Sequence, residues 1–397
     1  MNAATQLRIE GRGPVALALR LFLARQGFAE DTIDHAVGSA DPLPPALAAR
    51  SLALSLGSLQ LLGRIIDLPP AAPIRRVEVS FSRGRGVTSI DADDLGASRL
   101  GAVVRYGALH EALSGALAMA TMPERSTAAG QGSRTNQASQ TADTGPSGPT
   151  IRIRADGDPH AAARTLDFRQ SALLAEIEVS RELPDVAFER FTPDGPLAIL
   201  PLPEPRRHAL VWCAPPAVTQ RRLDLDAGAF GSELQAMAGD VLGTVRLASE
   251  RFQAPLQRRR ADADTDPSVV TIGNAAQTLH PVAGQGLNLG LRDAFELAQL
   301  LGDACAQGTS MHFVPTRFRC RRSIDRRLTI GITDTLARVF RLPGSAPIHS
   351  LALDLLDRAG PLRNRFARQL MFGWRGPLPP DFFAPRPSSV RTPRLFR

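Results

Sequence analysis

The pattern of apolar and polar positions predicts alternating strands and helices along most of the chain. Residues 5–10 alternate as a short strand does, and residues 11–27 have the pattern of a glycine turn followed by a helix that ends at Gly27. Period-two alternation predicts another strand over 75–81. Apolar residues at helical spacing predict helices over 46–65, 103–117, 230–250, 285–301 and 317–341.

The remaining segments are read from strand-like runs and from composition. Residues 151–154 predict a brief strand, and residues 172–215 contain several strand-like runs, including PLAILPL and HALVWC. Residues 123–149 are poor in apolar side chains and rich in Ser, Thr, Gly and Gln, which predicts a flexible loop. The Pro- and Arg-rich tail, 377–397, is predicted to be disordered. A chain of 397 residues is long enough for two domains or one large composite domain.

A first glycine motif, Gly11-Arg12-Gly13-Pro14-Val15-Ala16, follows the first predicted strand. In the dinucleotide fingerprint, Gly11 would make the tight turn, Gly13 would admit the pyrophosphate, and Ala16 would allow close helix–strand packing. Asp34 lies where an acid that binds a ribose hydroxyl is expected. The flanking runs QLRIE and AEDTID carry charges that are unusual in a buried parallel strand, so a turn formed by chance is the alternative.

A second glycine segment is longer and more specific. A predicted strand ends at Gly273-Asn274, a loop of small residues contains Pro281, and Gly284-Gln285-Gly286-Leu287-Asn288 begins a long amphipathic helix. Free backbone N–H groups at a helix N-terminus suit a flat ring that carries negative charge, as reduced flavin does. Asn274 would hydrogen-bond a ribityl hydroxyl, and Pro281 would offer a flat surface beside the ring. A purely structural strand–loop–helix is the alternative.

The run IGNAAQTLHPVAGQGLNLGLRDAFELA, residues 272–298, resembles the second FAD motif of the p-hydroxybenzoate-hydroxylase type of flavoprotein monooxygenases. Within that group it is most similar to the aromatic hydroxylases of ubiquinone biosynthesis, in the 2-polyprenyl-6-methoxyphenol hydroxylase branch. Residues 49–62, 188–202, 210–213 and 321–340 are also similar to that branch, and the similarity spans roughly residues 7 to 375.

The resemblance implies an α/β fold, more fully an α+β composite. It implies a Rossmann-like FAD/NAD(P)-binding domain with an inserted sheet-based substrate domain and a helical C-terminal part. The corresponding ranges are 1–65, 100–165 and 251–376 for the FAD-binding domain with its C-terminal helices, and 66–99 and 166–250 for the substrate domain.

The resemblance also implies an activity. NAD(P)H, as co-substrate, would reduce FAD, and O₂ would give a C4a-hydroperoxyflavin that hydroxylates the ring of a prenylated phenol resembling a 2-polyprenyl-6-methoxyphenol. Hydroxylation at another ring position or of another phenol, and a non-catalytic FAD-binding assembly subunit, remain alternatives. No acid–base pair stands out in the sequence, so the catalytic residues are unknown.

Further site residues follow from the same resemblance. Arg50 matches an arginine near the flavin, with a surface arginine as the alternative. Asp156 and Gly157 match a middle motif that touches FAD and the NAD(P)H path, although the family's serine is absent and the spacing to Arg164 is longer by one. His280 is either a loop histidine or catalytic. The residues implied to line a substrate pocket, or else to form sheet core, are Phe188, Phe191 and Leu200.

Charge and cysteine content limit the partners. All 47 basic residues are arginine and aromatic residues make up only 5%, so the net charge of +8 does not indicate nucleic-acid binding. Residues 301–397 hold 17 Arg, 6 Asp and no Glu, a net charge of +11. This segment is either a solvated helical face or a contact with an anionic membrane or an acidic partner, including a biosynthetic complex. Three cysteines without metal or redox spacing, and no export signal, predict no metal site and a cytoplasmic protein, peripheral at the inner membrane if that contact forms.

Overall fold

The computed structural model describes residues 6–29, 33–35, 43–82, 87–121, 150–155, 164–260, 266–339, 359–374 and 376. The predicted flexible loop (123–149), the predicted tail (377–397) and the middle motif at Asp156-Gly157 lie outside the described residues.

Within the described residues, strands and helices mix along the whole chain, as the α/β composite prediction requires. The strands are β1 (Gln6–Glu10), β2 (Ile33–His35), β3 (Ser51–Ser55), β4 (Ala71–Ile74), β5 (Arg76–Phe81), β6 (Val87–Asp91), β7 (Gly101–Arg105), β8 (Thr150–Arg154), β9 (Arg164–Val179), β10 (Val186–Phe191), β11 (Pro196–Pro201), β12 (Arg207–Ala214), β13 (Val245–Leu247), β14 (Phe252–Arg260) and β15 (Val269–Thr271). The helices are α1 (Pro14–Arg25), α2 (Pro45–Ala48), α3 (Leu56–Leu62), α4 (Tyr106–Thr121), α5 (Pro216–Asp224), α6 (Ala227–Ala238), α7 (Gly273–Ala276), α8 (Gln285–Ala306), α9 (Val314–Val339) and α10 (Gly360–Phe372).

A four-stranded parallel sheet, in the order β15–β8–β1–β2, supports both glycine motifs. Leu7 and Ile9 of β1 are buried with α1 and α8 in one hydrophobic cluster. The other face carries ion pairs, with Arg8 contacting Glu10 and Asp34, and Glu10 also contacting Arg152. The charges in QLRIE are therefore compatible with a parallel strand, because only alternate side chains are buried here.

A large sheet has the order β13–β9–β12–β11–β10–β5–β6, with β14 also paired to β9. It is antiparallel except for the parallel pair β5–β10. Trp212 and Ile177 on one face form a core with Phe230 and Leu234 of α6. β14, which the sequence analysis assigns to the FAD-binding domain, lies in this sheet because nine of its residues pair with β9.

A small antiparallel sheet, β3–β7–β4, corrects two predicted helices. Residues 51–55 and 101–105 are strands, although the pattern predicts helices over 46–65 and 103–117. Ala102, Val103 and Val104 are fully buried, and a short apolar run that is buried on both faces has no periodicity that separates strand from helix. β4, assigned by sequence to the substrate domain, pairs with β7 in this sheet.

The predicted helix over 230–250 is also too long. α6 ends at Gly239, whose φ of +77° favours glycine, and residues 245–247 form β13 instead. The predicted helices over 285–301 and 317–341 correspond to α8 and α9. Across the described residues, no helix is both long and apolar enough to cross a bilayer.

Candidate FAD and substrate site

A cavity of about 1060 Å³ lies between the small sheet, the large sheet and the N-terminal ends of α1 and α8. Its walls are the N-terminal ends of α1 and α8, strand β3, the loop before α8, one face of the large sheet, and α10. The predicted residues that it brings together are Gly13, Arg50, Asn274, Pro281, Gly284, Gln285, Gly286, Leu287 and Asn288. Pockets for cofactors and ligands are typically roughly 300–1,000 Å³, so the volume suits a large ligand.

The N-terminus of α8 presents open backbone to this cavity. Gly284 precedes the helix with φ +58°, a left-handed conformation that favours glycine. A Cβ placed at Gly286 would meet no atom within 4 Å, so the backbone there is accessible. A helix of 22 residues directs its positive dipole end at this point. The geometry fits the predicted role of the turn as a cradle for a flat, electron-rich ring.

Asn288 fastens that turn to strand β3. Its Oδ1 accepts a hydrogen bond from the Ser55 N–H at 2.9 Å, and its Nδ2 donates to the carbonyl oxygens of Ala53 at 3.0 Å and Gly284 at 2.7 Å. The Asn288 amide therefore holds the α8 N-terminus in place. The Asn274 side chain, in contrast, is exposed and borders the cavity.

Four predicted residues are not part of the cavity lining: Gly11, Ala16, Asp34 and Gly273. Ala16 is fully buried between helix and sheet, which matches the packing role of the third motif position. A Cβ at Gly273 would come 2.8 Å from the Ala155 carbonyl oxygen and 3.1 Å from Val15 Cγ1. Asp34 is exposed at the sheet edge and lies 3.4 Å from Arg8.

Arg50 borders the cavity where β3 begins. Burial lowers the pKa of its guanidinium, and the negative charge of ionised Tyr106 would act in the opposite direction. Among the described residues no carboxylate lies within ion-pair distance of Arg50. It is therefore placed to meet an anionic group of a ligand.

His280 has the geometry of a hydrogen-bonded loop histidine. Its Nδ1 accepts a hydrogen bond from the Val282 N–H at 3.2 Å, so Nε2 carries the proton and donates to Gln170 Oε1, also at 3.2 Å. The ring packs edge-on against Phe168 with centroids 4.9 Å apart. These contacts fix the loop before Pro281 against the large sheet.

The three residues implied to line a substrate pocket have different positions. Leu200 borders the cavity and packs on the cluster that includes Met371 of α10. Phe188 touches the cavity but belongs to the core beneath α6. Phe191 packs against Phe81, with ring centroids 5.7 Å apart, in a separate core. Phe191 thus has the sheet-core position that the sequence analysis left open.

Sequence reasoning missed Glu189, a carboxyl group on the cavity wall. Burial raises its pKa to about 7. The signal was present in the VAFERF alternation, which places position 189 on the same face as Ala187 and Phe191. An acid on an otherwise apolar strand face is a candidate functional group.

Comparisons with known proteins support FAD as the cofactor and similarity to ubiquinone hydroxylases. A family model described as an FAD binding domain matches residues 154–312, which confirms FAD as the predicted cofactor. Ubiquinone hydroxylase UbiL of Rhodospirillum rubrum is 36% identical over 222 residues, covering 55% of this chain and 52% of that protein. The 3-demethoxyubiquinol 3-hydroxylase of Escherichia coli is 29% identical over 389 residues, covering 92% of this chain and 97% of that protein.

Solved structures confirm the fold. The p-nitrophenol 4-monooxygenase PnpA from Pseudomonas putida superposes with a TM-score of 0.65 at 16% identity, covering 94% of this chain and 100% of that one.

Among the sequence relatives, the chain spans about half the length of UbiL and nearly all of the Escherichia coli hydroxylase.

Proposed function

We propose that this chain, a relative of the FAD-dependent aromatic hydroxylases of ubiquinone biosynthesis, hydroxylates the ring of a polyprenylated phenol with NAD(P)H and O₂. One observation carries the proposal: the open N-terminus of α8 and the apolar face of the large sheet border the same cavity. The turn at the α8 N-terminus would hold the flavin, and the sheet face would bind the aromatic substrate.

The FAD-holding residues in this proposal are Gly13 at the α1 N-terminus, Asn274, and the turn from Gly284 to Asn288. When bound, FAD supplies the redox chemistry, taking electrons from NAD(P)H and activating O₂ at its C4a carbon. The residues of the chain would position the ring and exclude water, because water would divert the reaction to peroxide formation. The apolar sheet face and the loop held by His280 would serve that exclusion.

The cavity wall also suits the prenylated part of the substrate. Leu174, Ala198 and Val211 form an apolar floor, and Leu370 and Met371 of α10 border the same space. Apolar lining of this kind binds hydrocarbon by removing it from water, at about 25 cal/mol per Å². The names of the similar proteins, a ubiquinone hydroxylase and a demethoxyubiquinol hydroxylase, support the same substrate class.

The test begins with purified protein and its flavin spectrum. NAD(P)H oxidation is then followed with and without a 2-prenyl-6-methoxyphenol, and the hydroxylated product is identified by mass spectrometry. We expect substrate-stimulated oxidation coupled to a product that is heavier by one oxygen. The protein should also restore quinone synthesis in a strain that lacks its own ring hydroxylase. Protein that holds FAD but gives neither product nor rescue would favour the non-catalytic assembly subunit instead.

We further propose that the C-terminal helices meet an anionic membrane surface, where a prenylated substrate resides. Residues 301–397 carry +11, and basic residues near anionic lipid contribute roughly 1 kcal/mol each. Leu362 and Trp374, near the ends of α10, are 62% and 55% exposed. Apolar side chains beside arginines are suited to the interfacial region of a bilayer.

Vesicle co-sedimentation tests the contact. We expect binding to anionic vesicles at low salt, weak binding to neutral vesicles, and reduced binding for Trp374→Ser. Met119→Ser is a matched control, because Met119 is 78% exposed on α4, outside the basic segment. Equal binding to neutral and anionic vesicles would contradict the proposal.

A further inference from the structure

Glu189 is a carboxyl group on an apolar sheet face. It lies on β10, opposite Val79 of the parallel neighbour β5 and Ala198 of the antiparallel neighbour β11. The same row continues through Val211 of β12 to Leu174 of β9. Residues directly opposite on paired strands point to one face, so Glu189 is surrounded by hydrocarbon on the cavity side.

The carboxylate has no protein partner among the described residues: no hydrogen bond or ion pair involves its side chain. Glu176, on the same face, differs because it pairs with Arg105. A carboxylate without a donor is costly in an apolar site and is relieved by a ligand that brings an O–H group.

The cavity lining contains other titratable and charged groups besides Glu189. Cys213 of β12 is buried near Glu189, and burial together with the Glu189 charge raises the pKa of its thiol. Cys213 therefore stays protonated and does not compete as a base. The remaining groups that line the cavity are Arg12, Arg50, Tyr106, His110, Glu176 and His280.

We propose that Glu189 is the catalytic base that accepts the phenolic proton of the substrate. The assignment rests on the proposed function, since it requires a phenol in this cavity. In the step, the phenol O–H bond breaks, its electron pair stays on the phenolic oxygen, and the proton binds a Glu189 carboxylate oxygen. Glu189 returns that proton to the same oxygen after hydroxylation, when the ring loses its C–H proton to solvent and becomes aromatic again.

The reactivity of the phenol and the pKa of Glu189 both suit this proton transfer. A phenolate is a stronger carbon nucleophile than a phenol, so removing the proton activates the ring for oxygen transfer. General bases act best with a pKa near the working pH, and burial brings that of Glu189 to about 7. The apolar floor positions the ring while the Glu189 carboxylate selects a hydroxyl-bearing edge.

Two measurements on the FAD-loaded protein test the assignment. The first compares binding of 2-methoxyphenol with binding of its methyl ether, 1,2-dimethoxybenzene, by calorimetry. We expect wild type to prefer the phenol by about 10-fold or more, as for a hydrogen bond to a charged group. Glu189→Leu should lose the preference and Glu189→Gln, which still accepts a hydrogen bond, should keep part of it.

The second measurement is the pH profile of product formation with a prenylphenol. Wild type should lose kcat/KM as pH falls below about 7, while Glu189→Gln should be slower by at least about 100-fold and lack that decline. Flavin content should not change. Glu178→Gln, the same substitution at an exposed position of β9, is the control and should behave as wild type.

The outcomes separate the two proposals. A wild-type rate and pH profile in Glu189→Gln, or a full phenol preference in Glu189→Leu, would overturn the role of Glu189. If wild type holds FAD and oxidises NAD(P)H but forms no product, the proposed hydroxylation fails. The comparison of phenol with methyl ether then still decides whether Glu189 receives a phenolic O–H group.

Discussion

At the residue scale, the raised pKa of Glu189 also links protonation to stability. The unfolded side chain titrates near 4.5, while burial raises the folded-state pKa to about 7. The folded state therefore binds more protons than the unfolded state between these values, and stability falls as pH rises through that window. Above pH 7 the folded state carries the full free-energy penalty of the buried Glu189 charge, up to about 3 kcal/mol at about 1.4 kcal/mol per pKa unit.

Glu189→Gln should remove this pH dependence. Its stability relative to wild type should rise between pH 5 and pH 8, because glutamine has no charge to bury. Chemical denaturation at both pH values measures the change, with the exposed Glu178→Gln as control. A stability difference that is the same at both pH values would show that the Glu189 carboxylate is not desolvated.

Two glycines of α8 have opposite surroundings. A Cβ at Gly290 would lie 2.7 Å from Val15 Cγ2 and 3.1 Å from Gly273 Cα, whereas one at Gly286 would meet nothing within 4 Å. Gly290 thus lets α8 pack closely against α1 and the start of α7. Gly286 keeps the backbone open towards the cavity.

Gly290→Ala should therefore destabilise the protein by about 1–3 kcal/mol through overpacking. Gly286→Ala should be neutral or slightly stabilising, since alanine is favoured over glycine in helices by about 1 kcal/mol. Urea denaturation of flavin-free protein measures both. Equal stability of the two variants would show that the α1–α8 contact relaxes without cost.

At the scale of elements, a buried ion-pair network joins α8, α9 and the end of α10. Asp325 of α9 lies 3.1 Å from Arg292 of α8 and 2.6 Å from Arg322, and its Oδ1 accepts a hydrogen bond from the Trp374 N–H at 3.0 Å. Asp293 of α8 pairs with Arg322 at 2.6 Å. The network fixes α8, α9 and the end of α10 relative to one another.

Asp325→Asn should cost about 3–5 kcal/mol, because it leaves buried arginines without a compensating charge. Asp93→Asn is the control, since the Asp93–Arg75 pair is exposed and such pairs contribute at most about 1 kcal/mol. Thermal unfolding compares the two variants. A small effect of Asp325→Asn would mean that a neighbouring carboxylate compensates for the lost charge or that water solvates the arginines.

The sequence predicted elements well where periodicity was long and poorly where it was short. α8 and α9 are amphipathic over many turns, and both glycine motifs lie at strand–helix junctions as expected. The pattern predicts helix at β3 and β7 because their apolar runs, residues 52–54 and 102–104, are too short to have a distinguishing period. Glu189 was missed because its environment depends on β5, which pairs with β10 from a distant part of the chain, and on β11 and β12, which continue the sheet on the other side of β10.

At the scale of the whole molecule, the cavity belongs to no single sheet. Its lining combines β3 of the small sheet, β9 to β12 of the large sheet, and the ends of α1 and α8, which extend from the parallel sheet. Asn288 joins α8 to β3, and His280 joins the loop before α8 to Gln170 of β9. A ligand that fills this space would therefore contact the small sheet, the large sheet and the N-terminal ends of α1 and α8, and would stabilise their arrangement.

FAD should consequently stabilise the folded chain, by about 2.7 kcal/mol at a free concentration of 100 times Kd. Gly286→Val should keep the stability of flavin-free wild type within about 1 kcal/mol, because the added Cβ meets nothing in the protein, yet it should lose FAD, whose ring would occupy that space. Gly115→Val is the matched control: Gly115 lies within α4, its Cβ would also meet nothing within 4 Å, and it does not line the cavity. Thermal unfolding with increasing FAD, together with the flavin-to-protein ratio after gel filtration, distinguishes the variants. A folded Gly286→Val protein that retains one FAD per chain would show that the flavin does not lie against the α8 turn.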